Sequence, residues 1–189
     1  DYYSQGYNDA LSVGNAQYLL TGQFSLSYYR YMIGMFFNKN LFTKAGVEYP
    51  YQTVLNGDWD FHEVAELSAN FYIDLNGQGD VNVEDQFGYV MWVGSASSLT
   101  DGYMASAGLR VVGKDGENLY VSDLSSTADF SNSIDNILKI MYSDGSYTSS
   151  TYFDVIGKFT AGTAALTSFR LFYLEETGMM NLGNTGQGY

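Results

Sequence analysis

Apolar residues fall at helical spacing in three stretches and run almost unbroken in three others, and these two patterns set the element order. Behind Asp60, the residues Phe61, Val64, Ala65, Leu67, Ala69 and Tyr72 share one helical face, which predicts a helix from Asp60 to about Ile73. Asp60 is placed to accept from the Glu63 N–H, with the Glu63 side chain reaching back, a reciprocal cap. A second long helix follows the Ser126-Thr127-Ala128-Asp129 start, with Phe130, Ile134, Ile137, Leu138 and Met141 three or four apart and Asp144-Gly145 as its stop. A third covers 152–160, with Val155, Ile156 and Phe159 inward. The unbroken runs at 28–37, 88–93 and 164–172 read as buried strands.

Shorter signals fill the gaps. Residues 16–24 read as a short strand and turn, and 38–46 as one or two helical turns stopped by Gly46. Pro50 opens an extended connector, and 95–108 reads as a helix entered through Ser and Thr caps. The strands 109–112 and 119–121 bracket Gly113-Lys114-Asp115-Gly116, a hairpin signal. Residues 181–189 are polar and glycine-rich, with no helix or strand signal. Long helices with isolated strands mean α/β or α+β, and 189 residues suit one domain or two small lobes.

Composition narrows the chemistry. Eight basic against 21 acidic residues give a net charge of −13, which disfavours nucleic acid and anionic membrane surfaces. With no cysteine there is no disulfide and no thiolate chemistry. The single histidine, His62, removes a His-paired zinc site and makes a Ser-His-Asp triad improbable; it reads as a solvated residue in the first turn of the Asp60 helix. The longest apolar run, 31–37, falls far short of the ~20 residues a bilayer requires. Aromatics reach 17% while charged residues stop at 15%, so the surface rests on hydroxyls, amides and glycine. Such a surface suits neutral, hydroxylated ligands, whose C–H faces stack on rings.

Residues 74–85 have the spacing of a twelve-residue calcium loop: Asp74, Asn76, Gln78, Asp80 (through its carbonyl), Asn82 and Asp85 at the ligand positions, with Gly79 at the sharp turn and Val81 as apolar anchor. Gln78 is longer than the usual acid or amide, and Asp85 is shorter than the usual closing Glu, as in dockerin-like loops, which this one resembles. The alternative is an Asx- and Gly-rich turn that needs no metal. A bound Ca2+ would be structural, because a closed ligand shell leaves no position for substrate.

The segment Phe36-Phe37-Asn38-Lys39-Asn40-Leu41-Phe42-Thr43-Lys44-Ala45-Gly46 resembles the "fYNKdLFekaG" stretch of family 1 extracellular solute-binding proteins, the capture components of bacterial ABC importers, mostly for sugars. Gly57-Asp58-Trp59-Asp60-Phe61 is similar to that family's "G-x-W-T/D" helix start. Residues 74–88 are similar to its "DxNGDGxxxxxDqyG" insert, and Phe159-Thr160-Ala161-Gly162-Thr163-Ala164-Ala165-Leu166 to its "F-x-x-G-x-A-A-m" motif. Together these cover roughly residues 15–175. The resemblance implies an α/β lobe, a mixed sheet flanked by helices, from a periplasmic-binding-protein-like (type II) two-lobe fold. It implies that 1–189 is mainly the second lobe, with 1–30 near the hinge, and that the return strand and first lobe lie elsewhere. It also implies a cell-surface parent, lipid-anchored in the Gram-positive manner, that partners ABC permease subunits. The chain itself shows no signal peptide and is expected not to insert in the membrane.

Ligands of such folds sit at strand ends and in the loops after them. That selects Tyr28, Tyr29 and Arg30 after the hinge, Trp92 and Ser95 at the end of the 88–93 strand, and Arg170 and Phe172 at the end of the last strand. Trp92 is the stacking candidate, with plain core as its alternative. Arg30 and Arg170 offer forked donors, although Glu175 or Glu176 could pair with Arg170. Trp59 reads as packing beneath the Asp60 helix. Three functions compete: non-catalytic solute capture, a calcium-stabilised adhesion or scaffold module, and a glycosidase with paired carboxylates. The module class normally carries two calcium loops and this chain has one. No isolated acid pair stands out for the glycosidase.

Overall fold

The structure is a computed structural model and describes residues 3–14, 16–94, 98–123 and 128–176. The chain opens with α1 (Gln5–Ala10), β1 (Ser12–Val13), β2 (Ala16–Gln17), α2 (Leu26–Arg30) and β3 (Ile33–Phe37). There follow α3 (Lys39–Ala45), α4 (Tyr51–Asn56), α5 (Phe61–Ala69), β4 (Phe87–Trp92) and α6 (Ser98–Ser106). The hairpin β5 (Val112–Asp115) and β6 (Asn118–Val121) precedes α7 (Ala128–Met141), β7 (Ser146–Ser149), α8 (Tyr152–Thr160), β8 (Ala164–Arg170) and α9 (Tyr173–Glu176).

The fold is α/β: β3, β8, β4 and β7 form a mixed sheet in that order, flanked by helices. β8 lies parallel to β4 and antiparallel to β3, and β4 lies parallel to β7. The two central strands explain the unbroken apolar runs. All six residues of β4 and the first six of β8 are buried, as parallel strands covered on both faces must be. Thr167, the polar residue at the middle of β8, satisfies its hydroxyl by donating to Val90 O at 3.0 Å.

On one face, α5 comes so close that a Cβ on Gly88 would lie 2.0 Å from Ser68 O. On the same side Tyr89 reaches α6, where its hydroxyl meets that of Tyr103 at 2.5 Å and donates to Ser168 Oγ at 3.0 Å. Burial pushes both phenols up from their ordinary value, Tyr103 well above it. On the other face α8 inserts Val155 and Phe159 and sets Tyr152 5.7 Å from the Trp92 ring.

Local chemistry accounts for the caps. Asn38 Oδ1 accepts from Asn40 N and Leu41 N to start α3, and Gly46 (φ 69°) ends it. Asp60 Oδ1 accepts from His62 N and Glu63 N, both at 2.9 Å.

Several expectations are corrected. The 28–37 run divides: residues 26–30 form α2, and the strand begins only at Ile33 and lies half-buried at the sheet edge. The connector after Pro50 is α4, with proline, whose missing N–H costs nothing at a helix start, before it and Gly57 (φ 84°) after it. α5 stops at Ala69 rather than Ile73, and Ile73 instead bridges Gln86. The hairpin strands run through Lys114 and Asp115, so the turn is Gly116-Glu117 rather than 113–116. In α7 the deepest residue is Ile140, while Leu138 is exposed. β8 ends at Arg170, leaving Phe172 in a turn. β7 was not expected at all. Its sequence Ser-Tyr-Thr-Ser has no apolar run because it sits at the outer edge of the sheet. Ser95 and residues 181–189 lie outside the described residues. No described helix is long and apolar enough to cross a membrane.

Candidate functional site

Sheet topology gathers the strand-end candidates at one edge. Parallel β4, β7 and β8 all finish there, at Trp92, Ser149 and Arg170, and antiparallel β3 starts there, with Ile33 opposite Arg170. The chain before β3 is tied to the chain after β8 by Leu171 N to Met32 O and Phe172 N to Arg30 O, each 2.9 Å. The side chains cross over in pairs. The Arg170 guanidinium lies 5.1 Å from the Tyr31 ring centre and that of Arg30 6.0 Å from Phe172. Rings continue the line: Tyr31 to Phe172 at 5.7 Å, Phe172 to Tyr173 at 4.1 Å, Tyr173 to Tyr152 at 5.7 Å, Tyr152 to Trp92 at 5.7 Å. Arg30, Arg170, Phe172 and Trp92 therefore belong to one aromatic arc. Tyr28 and Tyr29 stack edge-on at 5.4 Å in α2 beside it.

The members differ in what they present to solvent. Trp92 is 9% exposed and its indole N–H donates to Ser150 O at 3.1 Å, so it forms the inner end of the arc. Tyr31, Tyr29 and Phe153 are exposed. Arg170 Nε is buried and has no hydrogen-bond partner among the described residues, and the side chains of Glu175 and Glu176 lie outside that set. Tyr28 and Tyr31 also line a depression of about 510 Å3 with Tyr7, Thr21 and Ser25. Asn8 holds Thr21 in place, its side-chain amide both donating to Thr21 O and accepting from Thr21 N. Tyr31, Tyr152 and Tyr173 escaped the sequence reading. Tyr31 adjoins the three chosen residues, but nothing in the sequence joins Tyr152 to Trp92.

A second concavity, about 390 Å3, opens between β3, α5 and α6, with Met35, Trp59, Phe61 and Leu99 as walls and Tyr103 and Ser168 among its lining. Trp59 is half-buried there against the core, as expected of a packing residue. His62 is solvent-exposed and pairs with Glu66, Nε2 to Oε1 at 3.2 Å.

The 74–85 loop closes on itself. Asp74 accepts from Gly77 N (2.6 Å) and Gly79 N (2.9 Å), Asn76 Oδ1 from Gln78 N, and Asn82 Oδ1 from Glu84 N. The Asn82 amide donates to Asp80 O at 3.0 Å. Asp85 is fully buried, and its carboxylate accepts from Asn82 N, Tyr72 Oη and Leu75 N at 2.9, 3.1 and 3.3 Å. Those bonds, Asn82 N foremost, and then the nearby Lys158 hold its carboxyl below the ordinary aspartate value against the opposing effect of burial. Lys158, itself buried, donates to the Asp85 carbonyl and lies 5.2 Å from the Phe87 ring centre. Desolvation lowers the lysine, with Asp85 and Glu84 pulling it back. Among the described residues no three acidic or histidine side chains gather to hold a metal ion. The closing acid is bonded by three protein donors.

No family model matches the chain, and no curated protein matches it.

Proposed function

We propose that this chain is a non-catalytic solute-capture lobe of an ABC-type importer, with a neutral, hydroxylated solute of the carbohydrate class held against the strand-end edge. The observation that carries the reading is the meeting of Arg30, Arg170, Phe172 and Trp92, chosen from separate segments of the sequence, in one aromatic arc. Ring faces suit the C–H faces of a sugar, and a guanidinium suits its hydroxyl oxygens. Permease subunits are the partners this reading assigns to the parent protein, at the cell surface.

One jaw alone gives weak binding, of the order of millimolar or about −4 kcal/mol. The test is intrinsic-fluorescence titration of the chain with neutral mono- and oligosaccharides. Binding that Arg170→Met and Phe172→Ala each weaken supports the reading. No response to any neutral sugar at high millimolar concentration, or an affinity that neither variant lowers, rejects it.

A further inference from the structure

The tripeptide Leu-Asn-Gly occurs twice, at Leu55-Asn56-Gly57 and Leu75-Asn76-Gly77. Asparagine before glycine carries its own chemistry. The glycine nitrogen, unshielded by a Cβ, gives up its proton and attacks the asparagine Cγ, closing a five-membered imide. The Cγ–Nδ2 bond breaks and ammonia leaves with that proton. Water then opens the ring at either C–N bond and leaves aspartate or isoaspartate. The reacting atoms belong to adjacent residues, so water is the only reactant supplied from outside.

The asparagine backbone has to turn before the nitrogen reaches Cγ, so each bond that fixes the pair must open first. The two sites differ in what fixes them. Asn56 is exposed and is the last residue of α4. Gln52 Nε2 donates to Asn56 Oδ1 at 2.8 Å across an exposed turn, which draws electrons from the carbon under attack. Gly57 N donates to Val54 O at 3.1 Å. That bond closes a six-residue helix with no buried residue, far shorter than the ~12–15 residues at which a helix holds by itself. Fraying its last turn therefore frees the pair at small cost.

Asn76 is tied at the atoms that must move. Gly77 N donates to Asp74 Oδ1 at 2.6 Å, and the carboxylate opposes loss of that proton. Asn76 Nδ2 donates to Asn82 Oδ1 and Glu84 Oε2, both at 3.1 Å, while Asn76 Oδ1 accepts from Gln78 N at 3.1 Å. These bonds span a loop whose closing Asp85 is buried, so freeing Asn76 means opening the loop.

We propose that Asn56 is a site of spontaneous deamidation in the folded protein, and that the 74–85 loop shields Asn76 from the same reaction. Conversion takes the net charge from −13 to −14 and sets a carboxylate at the C-terminal end of α4, where the carbonyl dipoles already concentrate negative charge. Isoaspartate also lengthens the backbone there by one carbon, which disturbs the bonds from Gly57 N to Val54 O and from Asp58 N to Thr53 O. α4 holds Tyr51 5.4 Å from the Phe37 ring, so the loosening reaches β3.

The test incubates the intact chain in mildly alkaline buffer made with heavy-oxygen water, beside a sample unfolded in guanidinium, and follows both by peptide mass mapping. In guanidinium the two sites are expected to convert at similar rates, because the tripeptide is the same. In the folded chain Asn56 is expected to become an acid carrying one heavy oxygen at least about ten-fold faster than Asn76. Asp74→Ala, which releases Gly77 N, is expected to speed Asn76 by about ten-fold, as loss of a bond to a charged acceptor should, and to leave Asn56 unchanged. No conversion at Asn56 in the folded chain, conversion of Asn76 as fast as that of Asn56, or an Asn76 rate that Asp74→Ala does not raise overturns the proposal.

Discussion

The centre of the sheet and the first thirty residues use the same kinds of side chain to opposite ends. In β4 and β8, Phe87, Tyr89, Leu166 and Phe169 are each 0% exposed. In the N-terminal stretch Tyr18 is 76% and Leu26 70% exposed, and Leu19, Leu20 and Phe24 are exposed as well. An aromatic-rich sequence thus builds both a sealed interior and an apolar outer surface. What separates them is layering: β4 and β8 have strands on both sides and helices above and below, whereas among the described residues β1 and β2 pair only with each other.

The sharpest break in this comparison comes from the centre. Gly88→Ala drives a Cβ into the Ser68 backbone, which cannot move without shifting α5, so a loss of about 3 kcal/mol or outright unfolding is expected. Urea denaturation measures it, and a loss below one kcal/mol would mean that α5 is not seated as described. Next, Phe169→Ala should cost about 3–5 kcal/mol, while Tyr18→Ala should stay within roughly 0.5 kcal/mol. Equal losses would erase the contrast between the two regions.

Asp60→Ala removes the oxygen that serves two backbone N–H groups and should cost about 1 kcal/mol, read from the same urea midpoints.

The 74–85 loop gives the smallest effects. The Asp85 carboxyl is held below its ordinary value in the folded state, so its contribution is present above the unfolded value and disappears as pH falls through the folded one. Asp85→Asn should therefore flatten the acid limb of the stability profile. Closure by protein donors also predicts the same melting temperature in chelator and in millimolar calcium. A rise with calcium would mean that the acids rearrange around the ion.

How much was legible follows from where the deciding forces are local. The Asn38 and Asp60 caps and the Gly46 stop involve partners within about one helical turn, and the apolar spacing of α8 is itself local, so the sequence displays them directly. α4 was legible in principle from Pro50 and Gly57 and was missed. β7 was not, because a polar edge strand carries no apolar run and exists only where β4 offers it a partner. The division of 28–37 is also tertiary, since Tyr28 and Phe36 are both aromatic and only pairing with β8 says where the strand starts.

The sequence by itself determined the long helices, the two central strands, their order and a mixed class of α/β or α+β, because caps and hydrophobic period act over a few residues. Only the tertiary structure decided the neighbours: that β3 stands at the edge, that Arg170 lies on Tyr31, that Lys158 sits buried against Asp85, and that Trp92 is enclosed. The reason is physical: burial and pairing belong to surfaces brought together from distant parts of the chain, and their free energy appears only once those surfaces meet.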